Sequence, residues 1–175
     1  MIYKIALTLS VVFLSACATT PSTEMATADS GKVTEKPKYE TYVAAGSQLP
    51  LTRVTTIDGE VIDFSQDNSR KLIILFATWC SDSQRAMKAL SESSLLLEDD
   101  LHIIAIAREN SIDEVRKFQQ EYNLSIDFVA DVDRSLYAQF ASAGIPRLIM
   151  VNKQNSIIDM VLAEGDNQLN LIHWQ

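Results

Sequence analysis

Apolar and polar positions change their spacing several times along the chain, and each change predicts a new element. The continuous apolar run at residues 72–76 is typical of a strand that is buried on both faces, and residues 101–107 predict a second buried strand. Apolar positions at helical spacing predict helices at about 81–97 and 112–122, the second preceded by a capping box that begins at Ser111. The other predicted elements are strands at 126–130, 148–151 and 157–162, a helix capped by Asp133, and a short last helix over 167–175.

The connections between the strands predict their directions. Residues 51–57 and 61–64 flank Asp58-Gly59, a pair that supplies the positive φ angles of a tight hairpin turn. The last two strands are joined by a short turn at residues 153–155 and should be antiparallel, whereas the middle strands are joined through helices and should be parallel. Strands that alternate with helices therefore predict an α/β fold with a mixed sheet.

Residues 1–16 have the pattern of an export signal. Lys4 supplies the positive start, and the apolar run at 5–16 is shorter than the roughly 20 residues that a bilayer requires. The segment Leu-Ser-Ala-Cys that ends at Cys17 resembles the lipobox of bacterial lipoproteins, which implies cleavage before Cys17 and acylation of its sulfur. The alternatives are an ordinary signal peptide with a chance cysteine or a buried apolar helix.

Residues 17–47 are predicted to be a flexible tether between the lipid and a folded domain at 48–175. The tether is rich in Thr, Ser, Ala, Lys and Glu, and such a composition cannot bury enough apolar surface to fold alone. Tyr39, Tyr42 and Val43 are candidates for docking on the domain.

Charge and composition exclude several classes of function. The chain has 15 basic and 23 acidic residues and a net charge of −8, without a basic stripe, so nucleic acid is not an expected partner. Apolar residues make up 47% of the 175 residues, which excludes a largely disordered chain. Two cysteines and two histidines cannot build a zinc cage, and no metal or cofactor is predicted.

The candidate chemistry lies at Trp79-Cys80, between the strand at 72–76 and the helix that starts near residue 81. The unpaired N–H groups and the dipole of a helix N-terminus stabilise a thiolate at such a position. The alternative interpretation is a small, buried structural cysteine.

A second marker is Gly144-Ile145-Pro146, directly before the strand at 148–151. Proline has no backbone N–H to donate to a neighbouring strand, so it belongs at the start of a strand or in an edge strand. A cis peptide bond is compatible with this position. The simpler alternative is a proline that only starts the strand.

The order of a hairpin, a strand, Trp-Cys at a helix start, a β-α-β unit, Gly-Ile-Pro and a final hairpin resembles the thioredoxin fold. Over residues 48–166 the chain is similar to the membrane-anchored thiol–disulfide oxidoreductases of the TlpA/ResA type. The resemblance implies a three-layer fold, with a central mixed sheet flanked by helices and an N-terminal β-hairpin. It also implies that Pro146 is cis and faces the nucleophile Cys80. The matching stretches are residues 58–80 and 131–158, with the β-α-β unit between them.

The sequence departs from this family around the predicted nucleophile. Ser83 stands where the family has its second, resolving cysteine, and Asp82 stands where proline is common. Ala86 replaces a proton-handling acidic residue of many members, and Lys88 replaces a helix-kinking proline. Ser83 can support a Cys80 thiolate by donating a hydrogen bond, while Asp82 opposes the thiolate by like-charge repulsion. The balance of these two effects stays open.

Two functions of different classes are consistent with these residues. In the first, the protein is a monothiol enzyme for thiol–disulfide exchange or reduction on exported proteins. An external thiol then has to release the bound partner, because exchange within one domain needs two cysteines. In the second, the domain is a redox-inactive scaffold that binds peptides or proteins. A disulfide between chains through Cys80, including a covalent homodimer, is a further alternative. The predicted site consists of Cys80 and Ser83 for catalysis and of Trp79, Asp82, Ile145 and Pro146 for substrate binding.

The expected partners follow from this site and from the lipid. They are exported proteins with cysteines or peptide segments, an external thiol reductant if the protein is redox-active, and the membrane through Cys17. The expected location is the cell envelope, where disulfides persist. By analogy with lipoprotein sorting, Ala18 after Cys17 favours the outer membrane, facing the periplasm, if the host is Gram-negative.

Overall fold

A five-stranded mixed sheet forms the centre of the computed structural model, which describes residues 39–174. The strands are β1 (Arg53–Thr55) and β2 (Val61–Asp63) in a separate hairpin, then β3 (Arg70–Phe76), β4 (Leu101–Arg108), β5 (Asp127–Asp131), β6 (Arg147–Val151) and β7 (Ile157–Leu162). The order in the sheet is β5-β4-β3-β6-β7; β3 is parallel to β4, β4 is parallel to β5, and β6 is antiparallel to both β3 and β7. The predicted mixed sheet and both predicted hairpins are therefore confirmed. The prediction that strands joined through helices are parallel holds for β3, β4 and β5 but is wrong for β6, which is antiparallel to β3.

Side chains alternate between the two faces of the sheet, and each face has its own core. On one face Ile73 packs in a cluster with the hairpin and with Tyr137, which lies in a short 3₁₀ helix. On the other face Leu72 packs in a cluster with α1 (Ser81–Ser91) and α2 (Ile112–Tyr122). This confirms the predicted three-layer α/β fold, in which regular helices cover one face and the hairpin and 3₁₀ helix cover the other.

The two helices differ in how well the sequence predicted their ends. The Ser111–Glu114 capping box of α2 is present, with both of its reciprocal hydrogen bonds. The helix predicted at 81–97 is shorter, because α1 ends at Ser91 and a 3₁₀ helix follows at Ser94–Leu97. The Ser93 side chain accepts a hydrogen bond from the Leu95 N–H and so starts the new turn, which explains the break.

The predicted role of Asp133 as a helix cap is wrong. Asp133 accepts a hydrogen bond only locally, from the Ser135 N–H at 3.1 Å. The buried Asp131 takes the capping role instead, because its carboxylate accepts from the N–H groups of Leu136 and Tyr137 at 3.0 and 2.8 Å. The helix expected here is reduced to the 3₁₀ turn at Tyr137–Gln139.

The predicted signal peptide, Cys17 and most of the predicted tether lie outside the described residues. The last part of the tether, residues 39–47, lies against the domain. The Tyr42 N–H donates to the Phe140 carbonyl at 2.8 Å, and Val43 packs at the edge of the core. Between residues 39 and 174 no helix has the length and apolar character that a membrane span requires.

Candidate active site

Cys80 is the N-cap residue of α1, directly after the turn that follows β3. Its backbone is extended, and its carbonyl accepts the first hydrogen bond of the helix, from the Gln84 N–H at 2.9 Å. The thiol is half-buried, and no side-chain hydrogen bond caps the helix start. The sulfur therefore lies where unpaired helix N–H groups favour negative charge.

The loop before β6 lies against this sulfur, as the resemblance implied. Cys80 Sγ is 3.8 Å from the Ile145 carbonyl oxygen, within reach of a thiol hydrogen bond. The Ile145-Pro146 peptide bond is cis, and both residues are buried. The structure thus brings the predicted site residue Cys80 together with Ile145, which lies 65 positions later in the chain, and with the adjacent Pro146.

Trp79 presents a large apolar surface beside the sulfur. Its side chain is 60% exposed, although tryptophan is mostly buried in folded proteins. The guanidinium of Arg108, at the end of β4, lies 5.9 Å from the centre of its ring. An exposed aromatic surface next to a half-buried thiol is suited to contact with a protein or peptide.

A polar network that sequence reasoning missed holds the turn before Cys80. Asn110 accepts from the Thr78 N–H at 3.0 Å and donates to the Thr78 hydroxyl at 2.8 Å. Gln84 donates to the Thr78 carbonyl at 2.8 Å. Asn110 follows β4 and Thr78 follows β3. Because the carboxyl ends of neighbouring parallel strands meet at one edge, this position was a signal that could have identified Asn110.

Ser83 is fully buried beneath the turn. Its Oγ accepts a hydrogen bond from the Ala77 N–H at 3.3 Å. The described residues show no hydrogen bond between Ser83 and Cys80. Support of the Cys80 thiolate by Ser83 therefore stays a prediction. The hydrogen bond from the Ala77 N–H gives the Ser83 hydroxyl a structural role that does not involve the thiolate.

Asp82 is engaged with other parts of the protein. Its carboxylate forms an ion pair with Arg85 and accepts from the Gly165 N–H at 3.2 Å. Arg147, which follows Pro146, does not pair with Asp82; it is buried and donates to the loop around Gly144. Contact of Asp82 with a substrate stays a prediction.

A second polar cluster lies at the opposite end of the sheet, where β4 begins. The two ring nitrogens of His102 lie 2.7 Å from Asp67 and 2.6 Å from Asp127. Burial raises the pKa of Asp67, but hydrogen bonds from the Ser69 N–H and His102 and the charge of the buried Lys71 outweigh it. The net pKa of Asp67 is therefore below its ordinary value of 3.8. These contacts are consistent with a structural role for His102, which joins the start of β4 to Asp67 and to Asp127 of β5.

The described part of the chain contains no group of His, Cys, Asp or Glu side chains that could hold a metal ion. The side chains around His102 do not face a common metal position, because Asp67 and Asp127 lie at opposite ring nitrogens of the imidazole.

Comparisons with known proteins agree on one family and one fold. A family model described as thioredoxin-like matches residues 68–157. The thioredoxin-like protein YneN of Bacillus subtilis is 24% identical over 127 residues, which cover 70% of this chain and 74% of YneN. The thiol-disulfide oxidoreductase ResA of Bacillus cereus is 20% identical over 121 residues, covering 68% of this chain and 70% of ResA.

Two solved structures show the same fold. The solution structure of a putative protein disulfide isomerase from Bacteroides thetaiotaomicron gives a TM-score of 0.68 at 20% identity, covering 75% of this chain and 87% of that chain. A secreted disulfide oxidoreductase of Mycobacterium tuberculosis, homologous to E. coli DsbE, gives a TM-score of 0.59 at 18% identity. The match covers 68% of this chain and 90% of that chain.

Proposed function

Because this chain belongs to the thioredoxin-like family, we propose that it is a monothiol thiol–disulfide exchange protein that acts through Cys80. One observation carries the proposal: a half-buried thiol at a helix N-terminus lies 3.8 Å from the Ile145 carbonyl, in contact distance of the loop that contains Pro146. A sulfur in a purely structural role does not require such a position, at the edge of the core with an exposed Trp79 beside it.

The proposed reaction has two steps. The Cys80 thiolate attacks one sulfur of a substrate disulfide, so that a Cys80–substrate disulfide forms, the substrate S–S bond breaks and the other sulfur leaves as a thiolate that takes up a proton. An external thiolate then attacks the substrate sulfur of the mixed disulfide, so that a disulfide between the external thiol and the substrate forms, the Cys80–substrate bond breaks and Cys80 leaves as a thiolate. These two steps return Cys80 to its starting state, and a second external thiol then releases the substrate cysteine as a thiol, which leaves the two external thiols as the oxidised disulfide. In an isomerisation a cysteine of the substrate makes the attack instead, and no external reductant is consumed.

The identity of residue 83 determines the need for that external thiol. A cysteine at this position would resolve the mixed disulfide within the domain. Ser83 has no such reactivity, and Cys80 is the free cysteine of the described residues. In this proposal Trp79, Ile145 and Pro146 line the surface that receives the substrate, and Asp82 lies at its margin.

The test uses a short peptide disulfide and the full-length protein in detergent, followed by intact-mass measurement. The wild type should gain the mass of one half of the peptide, and Cys80→Ser should not. Cys17 is present in both proteins, so any adduct at Cys17 appears in the variant as well. A wild type that gains no more mass than Cys80→Ser would contradict the proposal.

The proposal includes an envelope location with Cys17 as the lipidated residue. It is supported by the lipobox-like segment and by the short apolar run before it. The solved relative from Mycobacterium tuberculosis is itself described as secreted. We expect the N-terminal peptide of the mature wild type to begin at Cys17 and to carry the added mass of acyl chains. A Cys17 that carries no added acyl mass would contradict lipidation at this residue.

A redox-inactive binding module is the second candidate. It is favoured by Ser83, whose Oγ is engaged by the Ala77 N–H, and by the exposed Trp79, which offers a contact surface that needs no sulfur. This candidate predicts that Cys80→Ser keeps the affinity for a captured partner while Trp79→Ala loses it. Monothiol chemistry predicts that Cys80→Ser loses the covalent complex.

A further inference from the structure

The loop that faces Cys80 is held in place by a buried arginine and by the N-terminal strap, which we define as residues 39–42. We propose that Arg147 is a positioning residue: together with Thr41 of the strap, it fixes the loop so that the Ile145 carbonyl faces the Cys80 sulfur. This inference rests on the proposed function and adds a positioning residue to it.

Arg147 is 3% exposed, and no carboxylate pairs with it among the described residues. Its guanidinium donates to the Gly144 carbonyl at 3.1 Å, to the Ala143 carbonyl at 2.7 Å and to the Thr41 hydroxyl at 3.2 Å. Burying a charge is costly unless it is well hydrogen-bonded, so these three contacts have to be maintained together. The planar fork of arginine suits this arrangement, and the single ammonium of lysine does not reproduce it.

The strap is joined to the chain before the loop by backbone hydrogen bonds. The Tyr42 N–H donates to the Phe140 carbonyl at 2.8 Å, and the Ser142 N–H donates to the Glu40 carbonyl at 3.0 Å. Thr41, between them, forms an antiparallel bridge. The acceptor that Thr41 offers to Arg147 is therefore fixed in position relative to the loop.

Gly144 is the point at which these contacts converge. Its carbonyl accepts from Arg147 and also from the Tyr137 hydroxyl at 2.7 Å. Its φ of +88° is open to glycine, and the Tyr39 ring packs where a side chain would be. The peptide group directly before Ile145 is thus held from several sides.

The consequence concerns the reaction geometry. The Ile145 carbonyl that follows Gly144 is the group 3.8 Å from the Cys80 sulfur. A substrate that lies along this loop reacts only when its sulfur is aligned with Cys80, and a displacement of about 1 Å can slow a positioned reaction by up to about 100-fold. A small reagent that needs no alignment does not have this dependence.

The test compares two reagents on the full-length protein in detergent. One is a short peptide disulfide, and the other is iodoacetamide, which reacts with Cys80 without occupying a groove. Arg147→Lys should slow the reaction with the peptide disulfide on the order of tenfold, and Thr41→Val should slow it by about threefold. Both should leave the iodoacetamide rate within about twofold. Thr55→Val makes the same change on another exposed threonine, in β1, and should change neither rate.

Each other outcome has a distinct meaning. Equal peptide rates in the wild type, Arg147→Lys and Thr41→Val would overturn the positioning role while leaving the proposed function intact. An equal fall with both reagents would also overturn it, because it would indicate general loosening of the domain. A wild type that does not react with the peptide disulfide would overturn the proposed function and this inference together. If Arg147→Lys does not fold, Thr41→Val decides alone, because its side chain is exposed.

Discussion

The contact between Gly144 and Tyr39 gives the sharpest stability prediction, for Gly144→Ala. A Cβ at Gly144 would lie 2.6 Å from Cδ2 of Tyr39 and 3.0 Å from Cδ1 of Leu162. A Cβ does not approach other atoms this closely, so the ring or the loop has to move. Alanine also rarely adopts the φ of +88° that the backbone has here.

The expected loss of stability combines these two effects. A left-handed backbone conformation costs a residue with a Cβ about 1–2 kcal/mol. Overpacking costs about 1–3 kcal/mol, and we take the lower end because Tyr39 lies near the edge of the domain and can yield. We therefore expect Gly144→Ala to lower the free energy of unfolding by about 2–3 kcal/mol.

Urea unfolding of the full-length protein in detergent, followed by tryptophan fluorescence, measures this loss. Gly59→Ala is the matched control, because Gly59 has a φ of +87° and nothing within 4 Å of its Cβ position. It should lose only the backbone part, about 1–2 kcal/mol. Combining Gly144→Ala with Tyr39→Ala should recover about 1 kcal/mol, which appears as a coupling energy in a double-mutant cycle.

Two results would refute this reasoning. One is a loss for Gly144→Ala no larger than that for Gly59→Ala, since the steric part would then be absent. The other is strict additivity of Gly144→Ala and Tyr39→Ala, since the two residues would then not be in contact.

Three further predictions concern other parts of the molecule. Ser111→Ala should lower the free energy of unfolding by about 1 kcal/mol in urea titrations, because it removes the N-cap of α2; an unchanged midpoint would contradict the capping role. The lowered pKa of Asp67 stabilises the fold above pH 3.8, and this contribution is lost as the pH falls through the lower folded pKa. Asp67→Asn should therefore make the fall in unfolding free energy at low pH less steep, in a stability–pH curve measured from pH 2 to 6. A fall as steep as that of the wild type would contradict this contribution of Asp67. Trp79→Ala should change stability by less than about 0.5 kcal/mol, because the side chain is 60% exposed. It should nevertheless slow the reaction of Cys80 with a peptide disulfide, and an unchanged rate would remove Trp79 from the site.

The sheet could be predicted from the sequence because its strands carry their own signal. The apolar run at 72–76 is buried on both faces, and the helical connections from β3 to β4 and from β4 to β5 predict that these neighbours are parallel. The helix predicted up to residue 97 was too long. The apolar spacing continues past the real end of the helix, and it does not show that the Ser93 side chain starts a new turn there. The prediction of Asp133 as a cap was wrong because only the folded chain shows which carboxylate meets the free N–H groups, and this carboxylate is that of Asp131.

The site was predictable in part. Cys80 and Pro146 stood out because Cys80 follows one predicted strand and Pro146 directly precedes another, and the fold brings their loops together. The surroundings of Arg147 were not predictable, because its guanidinium donates to Thr41, which is 106 positions away in a segment whose composition predicts a tether. Local composition is a poor guide to such a segment, since backbone hydrogen bonds to the domain hold it in place.

The most direct test of monothiol chemistry at Cys80 is the fate of its mixed disulfide. The wild type and Ser83→Cys are reacted with a peptide disulfide, freed of excess reagent and followed by intact mass. The account predicts that the wild-type adduct persists until a small thiol is added, whereas Ser83→Cys releases the peptide unaided and loses two hydrogens on forming its own disulfide. A wild type that forms no adduct at Cys80, or that releases the peptide without added thiol, would contradict the account.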